Sequence, residues 1–263
     1  MVRLLDRQGT NQRLGVRLTL ATVAVTLFAM PFMLLLVLVL SSFEPLNNFD
    51  EGMARLFYGH ALSIPGYTDF LSVATEVFGP WTWRVLAVLA AIWLWVRGWP
   101  RLAVWSVVTI TVSGLLNLAV KELVDRARPI LPDAVSWAPG PSFPSGHAMA
   151  AATGTSMLVL LLLPVLKHRW THLAAWITAA AITVFVAYSR VGLGVHWVSD
   201  VVAGVALGLA TVAATATGYE TWRRDEGHRP AVPYEEGVEP EVSEAPEEAD
   251  SVEGRGFPRG QTS

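Results

Sequence analysis

The sequence contains no cysteine, and only 16% of its 263 residues are charged, against 52% that are hydrophobic. Without cysteine there can be no disulfide, which leaves the compartment open. The shortage of charge excludes an ordinary soluble domain and places the chain in the membrane class. Basic excess is also missing: the net charge is −3, and no nucleic-acid partner is expected. No internal repeat is evident, and no Asp/Glu cluster has the ligand spacing of a hard-cation site, so no metal or cofactor is expected. A secretory cleavage site is lacking too. The first apolar run, Leu18 to Leu40, follows Arg3, Arg7, Arg13 and Arg17. It exceeds the roughly 7–15 residues of a signal core and has no small-x-small site after it, so it is read as a retained span.

What is present is a set of long apolar runs and eleven tryptophans, a residue that favours the membrane–water interface. Spanning the hydrocarbon as a helix takes about 20 apolar residues. By that measure helices are expected near 18–40, 76–96, 102–123, 147–166, 170–189 and 196–219. Glu76, Gly79, Pro80 and Arg84 crowd the start of the second, and the stretch TDFLSVATEVFG before it is read as interfacial. The sixth is rich in small residues that permit close helix packing. The fold class is therefore all-α, a polytopic six-transmembrane-helix bundle.

Three divisions follow: a cytoplasmic N-terminal segment (1–17), a membrane domain (18–222) and a tail (223–263). Residues 231–253 hold nine acidic side chains and no Lys or Arg. That composition buries too little apolar surface to offset ordering entropy, so the tail is expected to be disordered. Lys and Arg in the connections orient the bundle with both termini cytoplasmic, in a multi-pass cell-membrane protein. The outer side then carries Arg55, Arg84, Lys121, Arg126, Arg128 and Arg190. Oligomeric state has no signal in the sequence.

Three polar clusters fall on that outer side. In KELVDRARP (121–129), Lys121 and Arg128 are seven apart and share a face if the helix persists, although Pro129 disfavours helix at Arg128. Taken singly, these are snorkelling cations at a helix end. In PSFPSGHAMA (141–150), Ser145 is a plausible cap and Gly146 allows close backbone approach. His147 then stands at a helix N-terminus, whose free N–H groups form an anion site. Its plain reading is a capped helix start. In SRVGLGVHWVSD (189–200), Arg190 closes the fifth helix and Asp200 lies four residues after His196, hence on its face. The carboxylate can fix one imidazole tautomer and leave the other nitrogen free, though such a pair can be purely structural.

Together the clusters assemble three cations, two histidines, one carboxylate and backbone donors. That set suits phosphoryl transfer, in which catalysis is largely positioning and electrostatic stabilisation. One histidine can attack phosphorus and the other protonate the leaving oxygen. Pairing with Asp200 makes His196 the nucleophile and His147 the general acid.

K-x6-RP (Lys121, Arg128, Pro129), PSGH (144–147) and SR-x5-H-x3-D (Ser189, Arg190, His196, Asp200) resemble the tripartite signature of the type 2 phosphatidic acid phosphatase (PAP2) superfamily. All three parts are present in order, and the helix pattern extends the resemblance to about 18–222. The resemblance implies a metal-independent membrane phosphatase of the PAP2/haloperoxidase type, acting on a lipid phosphate or diphosphate from the outer face. It implies that Lys121, Arg128 and Arg190 bind phosphate with help from Ser145 and Gly146. His147 is then the acid, His196 the nucleophile and Asp200 its partner. Vanadate haloperoxidases share the signature but are soluble. A lipid phosphotransferase would pass the same phosphohistidine to an acceptor other than water, and a transporter or scaffold would use the clusters as gates. Substrates consistent with the signature are phosphatidic acid, phosphatidylglycerol phosphate, an inositol phospholipid and a polyprenyl diphosphate.

Overall fold

The computed structural model describes residues 22–132 and 136–225. The N-terminal segment, the first residues of the expected first span and the acidic tail from 226 lie outside the described residues. Among the described residues the structure is all-helical, without strands. Helix α1 ends at Leu40 and is described from Thr22. It is followed by α2 (Glu44–Ser63), α3 (Tyr67–Val77), α4 (Pro80–Val96) and α5 (Pro100–Val124). Then come α6 (Gly146–Leu162) with a 3₁₀ turn (Leu163–Val165), α7 (Arg169–Gly192) and α8 (Val198–Asp225).

Six stretches are long and apolar enough to cross a membrane: Thr22–Leu40, Tyr67–Val96, Pro100–Val124, Gly146–Val165, Arg169–Gly192 and Val198–Trp222. Five match the expected spans within a few residues. The expected second span is two helices, because the Phe78–Gly79 junction separates α3 from α4. Pro80 enters α4 in its first turn, where its missing N–H costs nothing and its fixed φ suits a new start. Most of the TDFLSVATEVFG stretch is the helix α3, which packs against α7 through Phe70 on Phe185 and Leu71 against Gly192.

The packing inverts the soluble pattern. Large apolar side chains such as Leu27, Leu34, Leu89, Ile92 and Val184 point outward, where lipid is as apolar as they are. Small residues and hydroxyls face inward. The α6–α8 pair is the most extensive helix contact, and its closeness depends on glycine. A Cβ on Gly204 would lie 2.6 Å from the Ser145 carbonyl oxygen, and one on Gly208 would lie 2.8 Å from that of Met149. Hydroxyl pairs then cross between helices: Ser113 with Thr153 at 2.8 Å, Thr109 with Thr215 at 3.0 Å and Thr155 with Thr183 at 3.2 Å. Such bonds hold helices together where no hydrophobic drive exists between them.

Helix α2, not expected from the sequence, docks at the end of the bundle where α5 ends and α6 and α8 begin. Its anchor is Asp50, fully buried. Asp50 accepts from the Ser199 backbone N–H at 2.9 Å, from the Ser199 hydroxyl and from Arg126 Nη2 at 2.9 Å. Phe57 adds an edge contact to Tyr188 of α7, with ring centroids 5.6 Å apart.

Removing one partner of a buried ion pair strands the other charge, typically at a cost of about 3–5 kcal/mol. Asp50→Ala should therefore lower the thermal midpoint of the detergent-solubilised protein steeply. The Asp50→Ala/Arg126→Met double variant should lose less than the two single losses combined. Strictly additive losses would show that the two side chains are not coupled.

Candidate active site

Helix α5 stops at Val124, and Asp125 takes a left-handed conformation with φ of 44°. The chain then leaves the helix axis, so Lys121 and Arg128 do not share a helical face. Arg128 instead reaches the site from a loop. Its Nε donates to the Gly140 carbonyl at 2.9 Å and its Nη2 to those of Pro139 and Pro141 at 3.1 and 3.2 Å. Its Nη1 donates to the Val195 carbonyl at 2.7 Å and lies 3.2 Å from His196 Nε2. Lys121 Nζ donates to the same Pro141 carbonyl. The two cations meet over one oxygen even though the helix between them has ended.

Ser145 occupies the N-cap position of α6 but makes no side-chain capping bond. Its backbone N–H donates to the Asp200 carbonyl at 3.0 Å, which joins the α6 start to the α8 start. Gly146 faces Asn117: a Cβ there would lie 3.1 Å from Asn117 Oδ1. Arg190 lies in the last turn of α7, two residues before its end, and is 5% exposed. Gly194, with φ of 70°, turns the chain back. His196 and Trp197 precede α8 rather than opening it, and Val198 is its first residue.

His196 is buried. Its Nδ1 stands 3.3 Å from Asp200 Oδ2, which also accepts the Trp197 backbone N–H at 2.9 Å. A guanidinium can only donate, so His196 Nε2 accepts from Arg128 and the ring proton sits on Nδ1, directed to Asp200. Burial lowers the His196 pKa to about 4 against the opposing pull of Asp200, while Arg128 and Arg190 lower it further. Near neutral pH the ring is therefore uncharged, with its lone pair on Nε2 beside the cations. Burial also lowers the pKa of Arg128 from its ordinary value, with Asp200 opposing.

His147, in the first turn of α6, turns its Nε2 toward the α3–α4 junction. It lies 3.5 Å from Glu76 Oε1 and makes no hydrogen bond. Three buried polar atoms of signature residues have no hydrogen-bond partner: Ser145 Oγ, His147 Nε2 and Arg190 Nε. Buried polar groups are normally satisfied, so orphans gathered at one end of the bundle mark a site shaped for an anion that would satisfy them. No group of three or more potential metal-ligating side chains occurs among the described residues.

Sequence reasoning missed Asp50, Arg126 and Glu76. Arg126 lies inside the quoted KELVDRARP stretch, yet its partners are remote in sequence. Its Nη1 donates to Asp200 Oδ1 and to Ser199 Oγ, both at 2.7 Å, and its Nη2 to Asp50. Its guanidinium carbon stands 5.6 Å from the Trp197 ring centroid. Nothing local in the sequence distinguished Asp50 from its exposed acidic neighbour Glu51.

The model of the PAP2 superfamily matches residues 102–224, a range that contains Lys121, Arg128, the 144–147 segment, Arg190, His196 and Asp200. Phosphatidylglycerophosphatase B of Bacillus subtilis is 42% identical over 96 residues, which are 36% of this chain and 47% of the relative. The match thus spans about half of that relative's length. The undecaprenyl-diphosphatase of Sulfolobus acidocaldarius is 29% identical over 188 residues, 67% of this chain and 84% of the relative. The crystal structure of a transmembrane PAP2-type phosphatidylglycerolphosphate phosphatase from Bacillus subtilis aligns with a TM-score of 0.64 and 25% identity. That alignment covers 76% of this chain and 96% of the other. Residues 102–224, with the complete three-part signature inside them, are thus the part of the chain that is similar to the PAP2 superfamily.

Proposed function

We propose that this protein is an integral membrane lipid phosphatase. It hydrolyses a lipid phosphomonoester or a polyprenyl diphosphate through a phosphohistidine on His196. The observation that carries the reading is the neutral, Asp200-oriented His196 with Nε2 beside Arg128, together with the unpartnered buried polar atoms of Ser145, His147 and Arg190. The named activities of the Bacillus and Sulfolobus relatives support the same substrate class.

In the first step Nε2 of His196 attacks phosphorus, and the bond from phosphorus to the leaving oxygen breaks. His147 gives its proton to that oxygen. The imidazole gains positive character as the N–P bond forms, and Asp200 stabilises it through Nδ1–H. Lys121, Arg128 and Arg190, with the Ser145 hydroxyl and the Gly146 N–H, hold the three equatorial oxygens, on which charge accumulates. Water then attacks the phosphohistidine, and His147 takes its proton, returning both histidines to their starting state with release of inorganic phosphate. Lys and Arg supply the charge that metal ions provide elsewhere, so the reaction requires none.

The two histidines separate by leaving group. His196→Ala should be inactive on every substrate. His147→Ala should retain far more relative activity on an aryl phosphate with an acidic phenol than on an alkyl lipid phosphate, because a good leaving group departs without help. General acids contribute roughly 100- to 10,000-fold, so the contrast is measurable. Substantial activity in His196→Ala would contradict the assignment.

The positive charges of the connections support an extracytoplasmic site with both termini in the cytoplasm. The cysteine-free background makes this easy to test. With an impermeant thiol reagent on intact cells, Ser136→Cys should label and Ser243→Cys should not. The reverse pattern would overturn the orientation.

A further inference from the structure

Arg84 is a cation within the span Tyr67–Val96, in the second turn of α4. Ionisable side chains inside membrane spans characteristically face a cavity or a partner and mark substrate paths. Arg84 is exposed, and among the described residues it has no carboxylate partner and no hydrogen bond. Its guanidinium carbon rests 4.9 Å from the Trp81 ring centroid. It lines a cleft of about 70 Å³ between α4, α5 and α6, together with Pro80, Ser113, Asn117 and Gly146. On this measure a water needs only about 10–15 Å³, so the cleft can admit a small polar group.

The position of this cleft relative to the reaction matters more than its size. Gly146 belongs to the proposed phosphate cradle, so the cleft opens directly beside it. His147, the proposed proton donor, points its Nε2 toward the α3–α4 junction: a Cβ on Gly79 would lie 3.5 Å from that nitrogen. The leaving oxygen must therefore depart on the α4 side, opposite His196. Arg84 stands one helical turn beyond Pro80 on that side. Glu76, the carboxylate at the junction, is turned to His147.

We propose that Arg84, with Asn117, binds a second phosphate of the substrate on the leaving-group side. The preferred substrate is then a lipid carrying two phosphate groups, not a simple monoester. The inference rests on the lipid phosphatase reading above. For a lipid diphosphate, the bond from the terminal phosphorus to the bridging oxygen breaks as the N–P bond to His196 forms. The bridging oxygen takes the His147 proton and leaves as part of a lipid monophosphate. Negative charge on that departing group is what Arg84 neutralises. Phosphatidic acid leaves a neutral diacylglycerol, which needs no cation there. A phosphatidylglycerophosphate-type lipid would offer its diester phosphate to the same arginine.

The test measures kcat/KM of the full-length protein in mixed micelles on three substrates: a polyprenyl diphosphate, phosphatidylglycerophosphate and phosphatidic acid. Arg84→Gln should lower the value about 10- to 100-fold on at least one of the two-phosphate lipids, as expected for loss of a hydrogen bond between charged groups. Phosphatidic acid should change by less than about threefold, and Arg84→Lys should recover part of the loss. Whichever two-phosphate lipid falls identifies the source of the second phosphate. An equal fall on all three, as for an arginine serving only as an interfacial anchor, would overturn the proposal, as would no fall on any. If the wild type released no phosphate from any of the three, the phosphatase reading itself would fail.

Discussion

The arrangement of the site depends on one half-buried guanidinium. Arg126 lies 2.7 Å from Asp200 and 2.9 Å from Asp50, two carboxylates with almost no exposure. Either carboxylate alone would be costly so far from water, and each is tolerable because the same cation and several N–H or O–H donors satisfy it. Three separate pieces of chain are thereby tied together: α2, the loop after α5 and the start of α8. Asp200 is left with Oδ2 directed to His196 Nδ1 and to the Trp197 N–H. The tautomer of His196, and hence which nitrogen carries the lone pair, follows from that tie.

The membrane imposes the second constraint. Helices that expose leucine and valine outward must pack through small and hydroxyl side chains inward, and α6 with α8 shows the consequence. Gly204 and Gly208 let α8 approach the α6 backbone closely. That proximity allows the Ser145 N–H to bond the Asp200 carbonyl. The proposed phosphate cradle and the proposed nucleophile's partner are thus joined by backbone, not by flexible side chains. Positioning of this kind is what phosphoryl transfer chiefly asks of a protein.

Much of this was legible in the sequence, because hydrophobic length and short local motifs are local signals. Five of the six spans fell within a few residues of their observed bounds. All eight proposed site residues converge at one end of the bundle. What was not legible was long-range or conformational. Arg126 and Asp50 are 76 residues apart, and neither carries a mark of its partner. The left-handed turn at Asp125, which brings Arg128 to Lys121 without a shared helical face, has no glycine to announce it. Gly79 and Pro80 did announce a break, and they were read as the weak start of one helix when they separate two. Helix α2 falls short of a spanning signal and is held by a buried ion pair that only the folded chain reveals.

The central claim is that the tie through Arg126 and Asp200 leaves Nε2 of His196 as the reactive atom. Rapidly quenched enzyme, turning over a radiolabelled lipid phosphate under alkaline conditions that preserve phosphohistidine, can be mapped by peptide mass spectrometry, and the regiochemistry read by phosphorus NMR. The account predicts the phosphoryl group on His196, bonded to Nε2. Phosphate on His147, or on Nδ1 of His196, would contradict it.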